Sequence, residues 1–164
     1  MRPAAFHRRR GGQAGYSLVE LLAVTVVLMV MASAVLPLTR VTIQRTREAE
    51  LRRSLRDMRT AIDRFKDAAD LQQIAPQDLK AGAEGYPESL ELLVEGVRAN
   101  GDASGRKLKF LRRIPTDPMT HSTEWGLRSY QDDADSTSWG GQNVYDVYSQ
   151  SEGTALDGTK YVDW

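Results

Sequence analysis

Residues 18–70 read LVELLAVTVVLMVMASAVLPLTRVTIQRTREAELRRSLRDMRTAIDRFKDAAD. The front of this stretch, Leu18 to Leu38, is an apolar run of 21 residues interrupted by one charge, Glu20. A helix rises about 1.5 Å per residue, so about 20 apolar residues match a bilayer. Beyond Pro37 the pattern changes but stays helical. Leu51, Leu55, Met58, Ile62, Phe65 and Ala69 recur at spacings of four and three, which makes one apolar stripe. Nine bases and five acids between Arg40 and Asp67 cover the other faces. Glu48 and Arg52 stand four apart, in the order that favours a pair along the helix. The spacing predicts one helix from about Ser17 to about Asp70, apolar all round in its first half and amphipathic in its second. Pro37 is expected to kink it or loosen one turn.

Upstream of the run lie Arg2, Arg8, Arg9 and Arg10 and no acid. Such a basic flank predicts a cytoplasmic N-terminus and an exported C-terminal part. An ordinary secretory signal would share these features, and Ala32-Ser33-Ala34 fits its cleavage pattern. A plain membrane anchor is a second reading. Two features weigh against both. Glu20 lies within the membrane segment, where a charge is costly and usually has a partner. The helical pattern also runs on through and past Ala34, where a removed signal would have no reason to be continuous.

Gly15-Tyr16-Ser17-Leu18-Val19-Glu20 resembles the prepilin signal of the type IV pilin-like superfamily. There a glycine precedes the cut and a glutamate stands fifth in the mature chain. Tyr16 departs mildly from the Phe or Met usual in that family. Pro37 would be mature residue 22, where long-helix pilins often carry a proline. The resemblance implies cleavage between Gly15 and Tyr16 by a prepilin peptidase, with N-methylation of Tyr16. It also implies that residues 1–15 are a leader and 16–38 a transmembrane and filament-core helix. Glu20 and Pro37 are then assembly residues. Packed among neighbouring helices, the Glu20 carboxylate needs a cation, and the new α-amino group of Tyr16 on an adjacent subunit is the nearest candidate. Such a desolvated pair favours one axial stagger, because a mismatch leaves a buried charge unpaired. The competing reading of Glu20 is a residue that snorkels to the membrane surface.

The helix extension, 39–70, leads into a domain at 71–164. Ala75-Pro76 and Lys80-Ala81-Gly82-Ala83 mark a loop. Tyr86-Pro87-Glu88-Ser89-Leu90 opens a short helix with Leu90, Leu93, Val94 and Val97 on one face. Short strands are predicted at Leu127–Gln131, Asn143–Ser149 and Lys160–Asp163. The fold class expected is α+β: a long N-terminal helix whose second half packs on a small antiparallel sheet. The order Tyr86-Pro87, Ile114-Pro115-Thr116-Asp117-Pro118, Trp125-Gly126, Tyr145-Asp146-Val147-Tyr148-Ser149 and Asp163-Trp164 resembles the major pseudopilin (protein G) of type II secretion. The region between Met119 and Asn143 is longer than that family leads one to expect.

That resemblance implies calcium in the segment Ser149 to Asp163, where Ser149, Glu152, Asp157 and Thr159 could supply oxygen ligands. The spacing is not that of an EF-hand, and a polar loop without an ion is the other reading. Asp132, Asp133 and Asp135 read as a solvated loop. His7 and His121 have no partners that suggest zinc or catalysis. With no cysteine, thiolate metal sites, disulfides and a lipoprotein anchor are excluded.

Lys+Arg and Asp+Glu both total 22, yet from Ile114 onward there are nine acids and two bases. A basic front and an acidic back do not suggest a nucleic-acid partner. No nucleophile motif or phosphate loop stands in the chain, so an enzyme is not expected. The expected role is a structural subunit of a periplasmic pseudopilus that drives protein transport by a type II secretion system. Its partners would be further copies of itself, prepilin peptidase, minor pseudopilins and the inner-membrane secretion platform. It would sit as a single-pass protein in the bacterial inner membrane, its C-terminal domain periplasmic. Two alternatives stay open: a type IV or competence pilin for adhesion, motility or DNA uptake, and a secreted periplasmic binding domain behind an ordinary signal peptide.

Overall fold

A computed structural model describes residues 15, 17–102 and 104–164, with side chains described except at 34–39. Leader residues 1–14 and Tyr16 lie outside the described residues, as does the side chain of Pro37. One α-helix, α1, runs Leu18–Asp70, within a residue of the predicted bounds. The chain divides into two compact units, Met1–Arg40 and Val41–Trp164.

In the first unit, α1 starts with the Leu21 amide donating to the Ser17 carbonyl at 3.0 Å. Its apolar side chains are bare: Leu18 is 81% exposed and Met29 73%. Thr25 and Ser33 turn their hydroxyls back to the helix carbonyls of Leu22 and Val30, which hides two polar groups in an apolar surface. Among the described residues, no helix is long and apolar enough to cross a membrane. Side chains 34–39 are not among those described, and the apolar run reaches bilayer length only with residues 34–38.

The second unit is α+β, with the C-terminal part of α1 packed on small antiparallel sheets. The stripe read from the sequence is the buried one. Leu51, Leu55, Met58, Ile62 and Phe65 are all at 2% exposure or less, joined by Ala61 and Ala68. Ala69, placed on the stripe from its spacing, sits at the edge of the core and Ala68 takes the inner position. Helix α2, Leu90–Glu95, adds Leu90 and Leu93 to the same core. Pro87 precedes α2 rather than entering it, and Val97 lies beyond its end. The stop is Gly96 at φ 80°, where a Cβ would meet the Leu108 carbonyl oxygen at 2.7 Å.

Two sheets of two strands replace the single sheet expected. In the first, β1 (Val97–Arg98) pairs with β2 (Lys107–Leu108); this hairpin was not predicted. In the second, β3 (Gly126–Arg128) pairs with β4 (Asp146–Tyr148), Leu127 opposite Val147. The predicted strands 127–131 and 143–149 are shorter than expected because side chains and loops capture their amides. Ser129 N–H goes to Asp132, Tyr130 N–H to Asn143 Oδ1, and Val144 N–H to the Pro87 carbonyl. The predicted strand at 160–163 is instead a 3-10 turn, Tyr161–Asp163, with Lys160 alone bridging Thr154. Gly126 lies under the Tyr148 ring, where any side chain would collide with the aromatic.

Candidate functional site

Of the residues singled out for processing and assembly, Gly15 and Glu20 are described with their side-chain surroundings, and both lie in the first unit. Gly15 is exposed, with open space where a Cβ would stand. Glu20 is exposed in the first turn of α1, flanked by the exposed apolar side chains of Val19, Leu21 and Leu22. A carboxylate there meets the positive end of the helix dipole. Outside water, such a group among apolar side chains requires a cation.

The residues singled out for calcium lie in the second unit, and the fold distributes them over two places. Ser149 is fully buried and donates its hydroxyl to Asp117 Oδ2 at 2.6 Å. Asp117 is itself fully buried and accepts the Met119 amide on its other oxygen at 2.7 Å. This pair ties the segment after β4 to the Pro115–Pro118 corner. Asp157 and Thr159 do meet: Thr159 donates its amide and hydroxyl to Asp157 Oδ1 at 3.0 and 2.6 Å. The Arg52 guanidinium lies 3.2 Å from Asp157 Oδ2. The Thr159 hydroxyl bonds, with help from its amide and from Arg52, hold the Asp157 carboxyl below the usual carboxylate range. Glu152 is exposed. Among the described residues, no group of three or more His, Asp or Glu converges as metal ligands. As folded, the Ser149 hydroxyl is committed to Asp117 and the Asp157 carboxylate already has a guanidinium beside it.

A polar clasp that the sequence did not reveal holds the 153–164 segment against α1. Glu48 Oε1 accepts the Leu156 amide at 2.9 Å and the Tyr161 hydroxyl at 3.0 Å. Gln44 Nε2 donates to the Thr154 carbonyl and to the Tyr161 oxygen. The expected Glu48–Arg52 pair along the helix does not form, because both side chains reach across to this segment instead. The Arg52 guanidinium also stacks 4.1 Å from the Trp164 ring. Tyr161 is buried, which pushes its phenol up from the ordinary value. About two helical turns beyond Arg52, Arg59 reaches Asp146 and the carbonyls of Val147 and Trp164. The buried Arg128 shares Asp146 at 3.6 Å and lies over the Tyr148 ring.

The loop read as solvated is built rather than slack. Asp132 Oδ2 accepts the amides of Ser129 at 2.7 Å and Gly140 at 3.0 Å, closing residues 129–140 into one knob. Those two amides hold the Asp132 carboxyl below the usual range, the Gly140 bond first. Arg128 Nε donates to the Ser136 carbonyl and the Tyr148 hydroxyl to that of Thr137. The Trp139 indole N–H donates to the Asn143 carbonyl at 2.8 Å. Asp-to-backbone closure of this kind follows from an Asx residue in a turn, but its span of eight residues is too long to read from local spacing.

No protein-family model matches the chain, and no match is found among curated proteins or solved structures.

Proposed function

We propose that this chain is a structural subunit of a membrane-anchored filament, the pseudopilus of a type II secretion system. The observation that carries the reading is α1. One helical element begins with exposed apolar side chains around Glu20 and ends with a stripe buried under a folded unit. A secretory signal cut near Ala34 would sever that element in its interior. The apolar residues 18–38 would span the bacterial inner membrane before assembly and form the filament core afterwards. Prepilin peptidase would cut between Gly15 and Tyr16, and the freed amine of one copy would neutralise Glu20 of another. The 41–164 unit would face the periplasm, where it meets minor pseudopilins and the secretion platform. Among the described residues its polar contacts tie the helix, the sheets and the final turn together, as a structural subunit requires.

Glu20→Leu tests the role of the carboxylate. The variant should still be processed and inserted, because its apolar run is longer, yet lose filament assembly on overexpression. Normal filaments from Glu20→Leu would remove the carboxylate from the mechanism.

A further inference from the structure

The second unit carries an open cleft of about 540 Å³ between α1 and the β1–β2 hairpin. Arg64, Arg106, Lys107 and Lys109 supply its charge. Leu71, 68% exposed, and Phe110, packed edge-on against Phe65 at 5.2 Å, supply an apolar floor. Asp67 is the one carboxylate on the lining. Only Arg106 has a close ion-pair partner among the described residues, Asp102 at 3.5 Å with the Arg106 side chain 73% exposed. Lys107 senses Asp78 at longer range. The cleft therefore presents surplus positive charge above apolar surface.

The same chain carries a shape of opposite character. The knob closed by Asp132 displays Asp133 and Asp135, both exposed and with no ion pair among the described residues. Beside them stand Tyr130, 57% exposed, and Trp139, 41% exposed. Because the knob is pinned by backbone bonds, presenting it costs little ordering entropy on docking.

We infer that the 129–140 knob of one copy docks in the Arg64/Arg106/Lys107/Lys109 cleft of a second copy. Asp133 and Asp135 meet the bases, and Trp139 covers Leu71 and Phe110. Acids concentrated after Ile114, set against the bases lining the cleft, are what a self-complementary surface requires. Knob and cleft are different surfaces, so the contact is heterologous and propagates head to tail instead of closing as a dimer. It deepens the filament reading by giving the 41–164 unit its own lateral contact, separate from the Glu20 pairing.

The chain has no cysteine, so engineered pairs report cleanly. Ala134→Cys marks the knob and Gln73→Cys the cleft mouth. Full-length chains in membranes are oxidised mildly. Cross-links are expected when the two single variants are mixed, not with either alone, and a ladder with the double variant. Asp133→Lys/Asp135→Lys should cut the yield about tenfold. Arg106→Glu/Lys109→Glu should do the same, and combining all four should restore it. These positions are exposed, so unchanged circular dichroism checks the fold of each variant. Absence of cross-links in the mixture, or no restoration, overturns the contact. Weaker binding of the cleft reversal alone to phosphatidylglycerol vesicles, with cross-linking unaffected by either reversal, would assign the cleft to anionic lipid and also overturn it. A chain that starts at Tyr16 but fails to cross-link sinks only the knob–cleft contact. One that cross-links but starts near Val35 sinks only the filament reading.

Discussion

Arg59 on α1 and Asp146 on β4 are joined by two hydrogen bonds, Nε to Oδ1 at 2.6 Å and Nη2 to Oδ2 at 3.3 Å. The same guanidinium donates to the carbonyls of Val147 and Trp164. One side chain thus fastens the helix, the second sheet and the final turn. Asp146 also faces Arg128, whose side chain is 8% exposed.

Removing the shared anion is therefore worse than removing one cation. Asp146→Asn leaves a buried guanidinium and a half-buried one without their charge partner. It is expected to destabilise the 41–164 unit by about 2–4 kcal/mol. Arg59→Met keeps the stem packing and leaves Asp146 with Arg128, so its cost should be smaller. Urea unfolding of the two variants measures the difference, and equal losses would contradict the shared-anion arrangement.

The loop at 153–160 is set by protein contacts, so calcium should do little there. Millimolar calcium is expected to leave the thermal midpoint unchanged, whereas tight binding would raise it by mass action. Arg52→Ala, which frees the Asp157 carboxylate, should lower the midpoint modestly because the exposed pair contributes about 0.2–1 kcal/mol. A calcium-dependent rise of several degrees in the unaltered protein would mean that Ser149 leaves Asp117 to join Asp157 and Thr159.

Acid stability carries the mark of Asp78. Its carboxylate accepts the Arg98 amide at 2.7 Å and forms a forked pair with the Arg98 guanidinium, tying the 3-10 turn Pro76–Asp78 to β1. The guanidinium first, then the amide, hold its pKa below the ordinary 3.8. A depressed carboxyl stabilises the fold above its unfolded-state value and loses that contribution as pH falls through the folded-state value. The thermal midpoint should thus fall below about pH 4, and Asp78→Asn should flatten that fall. An unaltered acid slope in Asp78→Asn would remove the pair from the acid response.

What could be read in the sequence was periodic. The stripe from Leu51 to Phe65 declares itself because a 3.6-residue repeat is written in consecutive positions, and the bounds of α1 followed. The apolar run with Glu20 is legible for the same reason, since length and charge count are local properties. The Val97–Arg98 and Lys107–Leu108 hairpin was not, because two-residue strands carry no alternation to detect. Nor was the fate of Glu48 and Arg52. Their i,i+4 spacing suggested each other, but partners more than a hundred residues away offered a backbone amide and a carboxylate. Ser149 is drawn inward by Asp117, a contact across 32 positions that no local pattern announces. Strand ends at Ser129 and Tyr130 were overrun for a related reason, as Asp132 and Asn143 take the amides that a longer ladder would use.

The filament reading stands or falls on where the mature chain begins. Intact-mass and N-terminal analysis of protein recovered from membranes of its native host decides it. The expected result is a chain that starts at N-methylated Tyr16 and retains the apolar run 18–38. A chain that starts near Val35 would contradict the filament and leave a secreted domain without its anchor.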